Sequence, residues 1–366
     1  MLIFYEVKPI ILRVKEAMKK EFKTPISGKS IFIGPDVEED IIIMALESSC
    51  DETACAIVKN GREVLANVVA SQIKTHREFG GVVPEVAARE HLESVNLVIA
   101  ETFEQAGITP KDVTAIAATV GPGLVGSLLV GLNAAKALAV TYDKPFIGVN
   151  HLNAHVCANY IDTDLEPPFV ALLVSGGHTQ IIRVDSYLEQ TIIGETIDDA
   201  TGEAYDKVAR LLGLPYPGGL NLDRMAPQGN PKAYQLPVAK VQGDYDFSFS
   251  GLKTAVLQLT QRLQKELGYL PKEDVAASFQ ECITKTLFRK TVKAAENLGS
   301  KKIALGGGVA ANSEIRKKFY ALQEQGYKIY APQMKYCTDN AAMIASSAYF
   351  LANTMDSLDV EVFSRC

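Results

Sequence analysis

Residues 169–184, FVALLVSGGHTQIIRV, hold a six-residue apolar run, a turn of small residues and a second apolar run. A continuous apolar run closed by Ser-Gly-Gly reads as a buried strand, and residues 180–184 read as the strand that returns beside it. The same layout stands far upstream. Residues 41–59, IIIMALESSCDETACAIVK, give a strand at 41–47, a polar turn at 48–53 and a returning strand at 54–59. Two copies of one strand–turn–strand unit predict a duplicated α/β fold with two lobes facing a cleft. Working outward, residues 1–43 form an extension, 44–150 a first lobe, 151–330 a second lobe and 331–366 a C-terminal segment ending in an alanine-rich helix. The lobe boundary is expected near 145–151.

The composition narrows the function. With 47% apolar and 22% charged residues in 366, the chain can bury a sizeable core, which excludes disorder and fibrous repeats. Acidic side chains outnumber basic ones 43 to 37, for a formal charge of -6. That is the wrong sign for a protein that holds nucleic acid by charge alone; a nucleic-acid partner must be gripped by a local basic patch or with help. The six cysteines include no C-x-x-C pair, which argues against a disulfide framework and a zinc knuckle and fits a reducing cytosol. No secretory signal is visible, and seven acidic residues before Met44 fit poorly with a transit peptide. The uncharged run 113–135 has the length of a bilayer span, but Gly121-Pro122-Gly123 interrupts it. A buried strand, a tight loop and a buried helix are expected there, in a soluble protein. The extension balances seven positive against seven negative charges, with an amphipathic piece at 10–22. It reads either as a partner-binding arm or as the product of an upstream start, with Met44 the true beginning. Gly28-Lys29-Ser30 imitates a P-loop, but Lys23 stands where the first glycine is required.

Several residues can carry chemistry. His151 and His155 in HLNAH are spaced i, i+4, so on a helix both imidazoles leave one face, as half of a zinc or iron site. They come directly after a strand at 145–150, and open α/β sheets bind ligands at such strand ends. The motif is not HExxH, because Leu152 replaces the glutamate that serves a metalloprotease as base. Asp339 is a candidate third ligand, although on spacing alone a helix cap is the better reading of it. The turns Ser175-Gly176-Gly177-His178 and Gly306-Gly307-Gly308 let backbone N–H groups approach an anion, and Asn312-Ser313 caps a following helix. Gly306-x-Gly308-x-x-Ala311 fits a dinucleotide fingerprint in form, but Tyr330-Ala331-Pro332 stands where its acidic residue belongs. With Pro217-Gly218-Gly219, these turns point to a nucleotide cleft. Asp51-Glu52 and Asp206 are the turn carboxylates that could hold ribose or a metal-bound phosphate. Residues 247–253, FSFSGLK, read as a strand edge or lobe contact.

Together the motifs ALESSCDETACAIV, HREFGGVVPEVAAREHLE, GPGLVGSLLVGLNAAKALA, VNHLNAH, LLVSGGHTQ, GETIDDATGEAYDKVAR, FSFSGLKTA, GGGVAANS and CTDNAAMIA closely resemble the universal tRNA threonylcarbamoyltransferase family in its bacterial form, TsaD. The resemblance runs from about residue 44 to 352. It implies a duplicated actin-like ATPase fold (ASKHA, RNase H-like) and an acyltransferase. The implied reaction moves threonylcarbamoyl from its adenylate to N6 of adenosine 37 in tRNAs reading codons that begin with A. It also implies one divalent ion, iron or zinc, on His151, His155 and Asp339, which overrides the cap reading of Asp339. An adenylate or other adenine nucleotide would be lined by Leu173, Val174, Ser175, Gly176, Gly177, Asp206, Gly219, Asp223 and Asn312. Asp51 is the candidate base. Implied partners are tRNA, a TsaB-like paralogue and a TsaE-like ATPase, with no membrane, a cytoplasmic location and room for a homodimer. The family's proline after the paired glycines is Leu220 here, and residues 1–43 have no counterpart. The alternatives are the metal-dependent endopeptidase of the family's older name, O-sialoglycoprotein endopeptidase, and a small-molecule kinase of the same fold.

Overall fold

The computed structural model describes residues 19–351 and 357–364. They fall into two compact units: residues 19–72, 82–166, 339–351 and 357–364, and residues 73–81 with 167–338. A hairpin, β1 (Lys20–Lys23) and β2 (Ser30–Ile33), opens the first unit. It is anchored by buried Phe22 and Ile33. At its tip the N–H groups of Ile26 and Ser27 donate to Asp143 Oδ1 at 2.9 and 3.2 Å. Part of the expected amphipathic piece at 10–22, up to residue 18, lies outside the described residues.

The first unit is built on β3 (Ile42–Glu47), β4 (Glu52–Lys59) and β5 (Glu63–Ser71). β4 turns into β5 through Asn60 and Gly61, both at positive φ (51° and 67°), the backbone that a tight hairpin of two right-twisted strands requires. Helix α1 (Ile73–Phe79) belongs with the second unit, and α2 (Pro84–Ala106) returns to the first. β6 (Ala115–Gly121), α3 (Val125–Thr141), β7 (Phe146–Asn150) and α4 (His151–Cys157) come next. Residues 113–135 are thus a strand, a loop and a helix, as expected. Among the described residues no helix is long and apolar enough to cross a membrane.

The second unit repeats the plan with β8 (Phe169–Val174), β9 (Thr179–Ser186) and β10 (Glu189–Glu195). Then come α5 (Thr201–Leu211), α6 (Gly218–Met225), α7 (Ser250–Leu267) and α8 (Lys272–Asn297). β11 (Lys302–Gly306), α9 (Ser313–Tyr320) and β12 (Lys328–Tyr330) complete it. The two sheets run β5-β4-β3-β6-β7 and β10-β9-β8-β11-β12. In both, the first three strands are antiparallel and the last two parallel to the central one. The duplication predicted from two strand pairs therefore extends to every strand of both sheets. Phe247 and Phe249 stack, with ring centroids 6.0 Å apart, in the core of the second unit, and Ser250 begins α7, so FSFSGLK is a core anchor leading into a helix.

The division differs from the boundary expected at 150/151. α4 stays with the first unit because α10 (Ala341–Phe350), buried at every position, packs against α4, β3 and β4. Residues 151–166, 339–351 and 357–364 therefore belong to the first unit, and the second resumes at Pro167. A helix that is apolar all round has no face to give to solvent, so the C-terminal segment must return into a core.

Candidate functional site

β7 delivers the two histidines. Its last residue, Asn150, caps α4 by accepting the N–H groups of Leu152 at 2.9 Å and Asn153 at 3.3 Å. One turn apart on that helix, the rings of His151 and His155 lie edge to face with centroids 4.6 Å apart. From the start of α10 comes Asp339. The cap of α10 is its neighbour Asn340, whose Oδ1 accepts from Met343 N at 3.1 Å. That frees Asp339 to reach inward, and its Oδ1 lies 3.5 Å from His151 Nε2 and 3.3 Å from His155 Nε2. The three ligand atoms lie within 4.8 Å of one another.

The donors suit a divalent cation. His155 is 1% exposed, with Nε2 3.3 Å from Asp339 Oδ1 and Nδ1 lacking a hydrogen-bond partner. A buried imidazole so poorly satisfied has capacity left for a metal ion. Burial holds His155 below the ordinary histidine range, in the neutral form that ligates metal. Burial opposes charge on His151 too, but the Glu47 and Asp339 carboxylates outweigh it and hold its pKa at about 9. Burial pushes Asp339 up, yet the two histidines bring it down to about 2. With Glu47 and Asp339 held ionised beside the two imidazoles, the cluster favours positive charge.

Glu47, missed in the sequence, completes it. Its side chain is fully buried at the end of β3 and accepts from His151 Nδ1 at 3.1 Å. Ser49 N and Thr119 Oγ1 also donate to it, each at 2.5 Å. Burial raises the Glu47 pKa, but His151 more than offsets this and the carboxyl stays below its usual range. A carboxylate on Nδ1 fixes the tautomer that leaves Nε2 free for a metal. The only signal in the sequence was a charge ending an apolar strand. Glu47→Gln is expected to weaken metal affinity about 10- to 100-fold, read by competition with a chromophoric chelator. A change under about threefold would reduce Glu47 to packing.

Asp51 lies in the turn between β3 and β4, 7% exposed, with its carbonyl accepting from Gln72 N at 2.9 Å. Its neighbour Glu52 is pushed up to about 10 by burial and by the charges of Asp339 and Asp51. The unfolded chain loses this proton near 4.5 while the folded chain keeps it. The contribution is therefore full below that pH and drains away as pH rises towards 10. Glu52→Gln should flatten the fall in thermal stability of the metal-free protein between about pH 6 and about pH 9. An unchanged slope would show that Glu52 is ionised in the folded protein.

The other candidates all lie in the second unit. Leu173 and Val174 are wholly buried side chains of β8, so only their main chain can face a ligand. Ser175 N donates to His178 O at 2.9 Å, closing the turn, and Gly176 and Gly177 face open space. The N–H of Gly202, near the start of α5, donates to Ser175 O at 3.1 Å. Asp206 Oδ1 accepts from Gly219 N at 3.1 Å. Asp223 is engaged with the start of α9, accepting from Ser313 N and Oγ at 3.1 and 2.8 Å and from Gln280 Nε2 at 3.1 Å. Asn312 caps α9 through Glu314 N and Ile315 N, and its Nδ2 donates to Gln280 Oε1 at 3.1 Å. Gln280 and Tyr205, which carry no signal in the sequence, tie this network together. Asp51, by contrast, is in the first unit.

A family model described as TsaD, tRNA N6-adenosine threonylcarbamoyltransferase, matches residues 63–346. A Clostridium perfringens protein of that name is 54% identical over 312 residues, 84% of this chain and 92% of its own. Another from Picosynechococcus is 52% identical over 334 residues, 88% of this chain and 94% of its own. Among solved structures, HypF of T. kodakarensis superposes with a TM-score of 0.59 at 16% identity, over 91% of this chain and 49% of HypF. HypF solved with phosphate and nucleotide bound gives 0.57 at 14% identity, over 85% of this chain and 46% of its own. At such identities the likeness concerns the fold, which is the duplicated actin-like one. The relatives settle the rest: the chain belongs to the tRNA N6-adenosine threonylcarbamoyltransferase family.

Proposed function

We propose that this protein transfers threonylcarbamoyl from threonylcarbamoyl-AMP to N6 of adenosine 37 in tRNAs reading codons that begin with A. The observation that carries the reading is the convergence of His151, His155 and Asp339 within the family's motifs. In the transfer, N6 attacks the carbamoyl carbon, the C–N bond forms, the C–O bond to phosphate breaks and AMP leaves. The substrate is already activated, so the chain's task is positioning and electrostatics. His151, His155 and Asp339 would hold a divalent ion, iron or zinc, which would supply Lewis acidity toward the threonyl part. Asp51 accepts the proton from N6. The main chain of Ser175, Gly176 and Gly177, with Asp206 and Gly219, holds the adenylate, and the anticodon loop presents its base unpaired. The endopeptidase alternative lacks the base that its motif carries between the two histidines, because Leu152 at that position is buried and apolar and Glu47 stands behind His151, on Nδ1.

A TsaB-like paralogue and a TsaE-like ATPase are the proposed partners, in the cytoplasm with the tRNA. α2 and α3 leave Leu92, Leu97, Val125 and Leu129 between 42 and 70% exposed, apolar area that a paralogous subunit would cover. The deciding experiment incubates unmodified tRNA with the protein, its partners and threonylcarbamoyl-AMP, and analyses the nucleosides by mass spectrometry. Threonylcarbamoyladenosine should appear only with all components present. Its absence, with partners that work beside a known family member, would overturn the reading.

A further inference from the structure

His91 has no part in the chemistry above. It sits on α2, wholly buried, in the stripe Ala87, His91, Val95, Val98 that faces the core of the first unit. A polar ring on such a stripe must find partners, and many core histidines do so with scattered groups. Here both nitrogens bond one turn. Nε2 lies 3.0 Å from Cys50 O, a carbonyl that can only accept, so Nε2 carries the hydrogen. Nδ1 is left to accept from the hydroxyl of Thr53, 2.7 Å away. Between those anchors lie Asp51 and Glu52. One helical turn earlier, Ala87 O accepts from Gln72 Nε2 at 3.3 Å, and Gln72 N holds Asp51 O. α2 thus grips the turn twice, once directly and once through Gln72. The turn also borders the histidine pair, because Ser49 Oγ lies 3.3 Å from His151 Nδ1.

We propose that His91 is a positioning residue of the transfer reaction: by bonding Cys50 O and Thr53 Oγ1 together, it fixes the turn that aims the Asp51 and Glu52 carboxylates. The proposal rests on the transferase reading and on Asp51 belonging to that site. Its physical basis is that a reacting group displaced by about 1 Å can lose about 100-fold in rate. A proton acceptor on a turn between two strands has that freedom unless the turn is fastened. His91 touches neither substrate nor metal ligand in this account, so its removal should leave both kinds of binding intact.

The test is steady-state t6A formation with partners present, alongside metal analysis and amide hydrogen exchange of residues 50–53. His91→Phe keeps the ring volume and removes both bonds. It should lower kcat about 100-fold, leave KM for tRNA and for threonylcarbamoyl-AMP within about threefold, and keep the wild-type metal content. His91→Gln places an amide N–H where Nε2 was and should recover about tenfold of that loss. Exchange at 50–53 should quicken in His91→Phe. A wild-type kcat in a His91→Phe protein of lowered Tm would make the histidine merely structural and overturn the proposal. Should His91→Phe fail to fold, Thr53→Val removes one bond alone; a kcat within about twofold of wild type would overturn the Nδ1 half. Asp51→Asn separates the two readings. If it is fully active while His91→Phe is not, Asp51 is not the base but the clamp stands. If wild type itself makes no t6A, the transferase reading fails, and exchange at 50–53 alone still decides whether His91 holds the turn.

Discussion

His155→Ala is expected to give a folded protein that keeps no stoichiometric metal and makes at least about 100-fold less threonylcarbamoyladenosine than wild type. The reasoning starts from what the imidazole does in its place. It is 1% exposed, its Nδ1 has no hydrogen-bond partner, its Nε2 faces Asp339 Oδ1 at 3.3 Å, and burial holds its pKa below the ordinary range. The contact with Asp339 belongs to the triad itself, so loss of the ring should empty the site more than it unfolds the protein. Only two of the three convergent donors then remain, and two do not make a closed site for zinc or iron. Asp339→Asn should act similarly, because it removes the charge facing both Nε2 atoms. Metal analysis beside nucleoside mass spectrometry checks both variants. A His155→Ala protein with full metal and full activity would show that the triad is an ion-pair network. A protein that lost its metal but kept forming threonylcarbamoyladenosine would show that the transfer does not depend on the triad's ion.

The histidine pair was legible because its signal is local: an i, i+4 spacing directly after a strand. Asp339 was not legible from spacing, since a carboxylate before an apolar helix reads as a cap; the family resemblance names it as a ligand. The geometry gives the reason, because Asn340 takes the cap and leaves Asp339 to turn inward. Glu47 was harder still. Nothing within a few residues of it names His151, which is brought in through β6 and β7, each one strand further along the sheet. The central strands β3 and β8 were plain from unbroken apolar runs. The third strands, β5 and β10, carry mixed and partly exposed residues and left no such mark. The boundary at 150/151 went astray for a related reason. Chain order groups α4 with the second lobe, whereas α10, returning from the far end of the chain, holds it in the first unit. Asp223 and Asn312, which the family resemblance places at the adenylate, also hold the start of α9 and Gln280, a task that the sequence does not signal.

Gly307→Ala should cripple the second unit's turn while Gly308→Ala, one residue on, does almost nothing. Gly307 leaves β11 at φ 85° and ψ 162°, a conformation that essentially only glycine adopts. A Cβ there would lie 2.3 Å from Val174 O and 2.8 Å from Val174 C. Neither atom can retreat cheaply. Val174 ends β8, whose main chain pairs with β11 through Leu173 and Gly306, so relief of the clash must part the two central strands or tilt the adjoining turn. Backbone strain of about 1–3 kcal/mol and overpacking of about 1–3 kcal/mol add to a large share of the stability of an ordinary domain. A Cβ on Gly308 meets nothing within 4 Å, so the neighbouring variant controls for the loss of a glycine as such. Thermal unfolding should show a drop of many degrees for Gly307→Ala and little change for Gly308→Ala. Calorimetry with AMP, at a temperature where both stay folded, carries the functional half. Ser175 comes directly after Val174, so a displaced Val174 carbonyl misaims the Ser175–Gly177 amides and AMP affinity should fall at least about tenfold. Wild-type AMP affinity in a destabilised Gly307→Ala protein would leave that turn with a structural task alone and move the adenylate elsewhere. An unchanged Tm would mean that β8 and β11 yield far more easily than two paired strands buried in one sheet should.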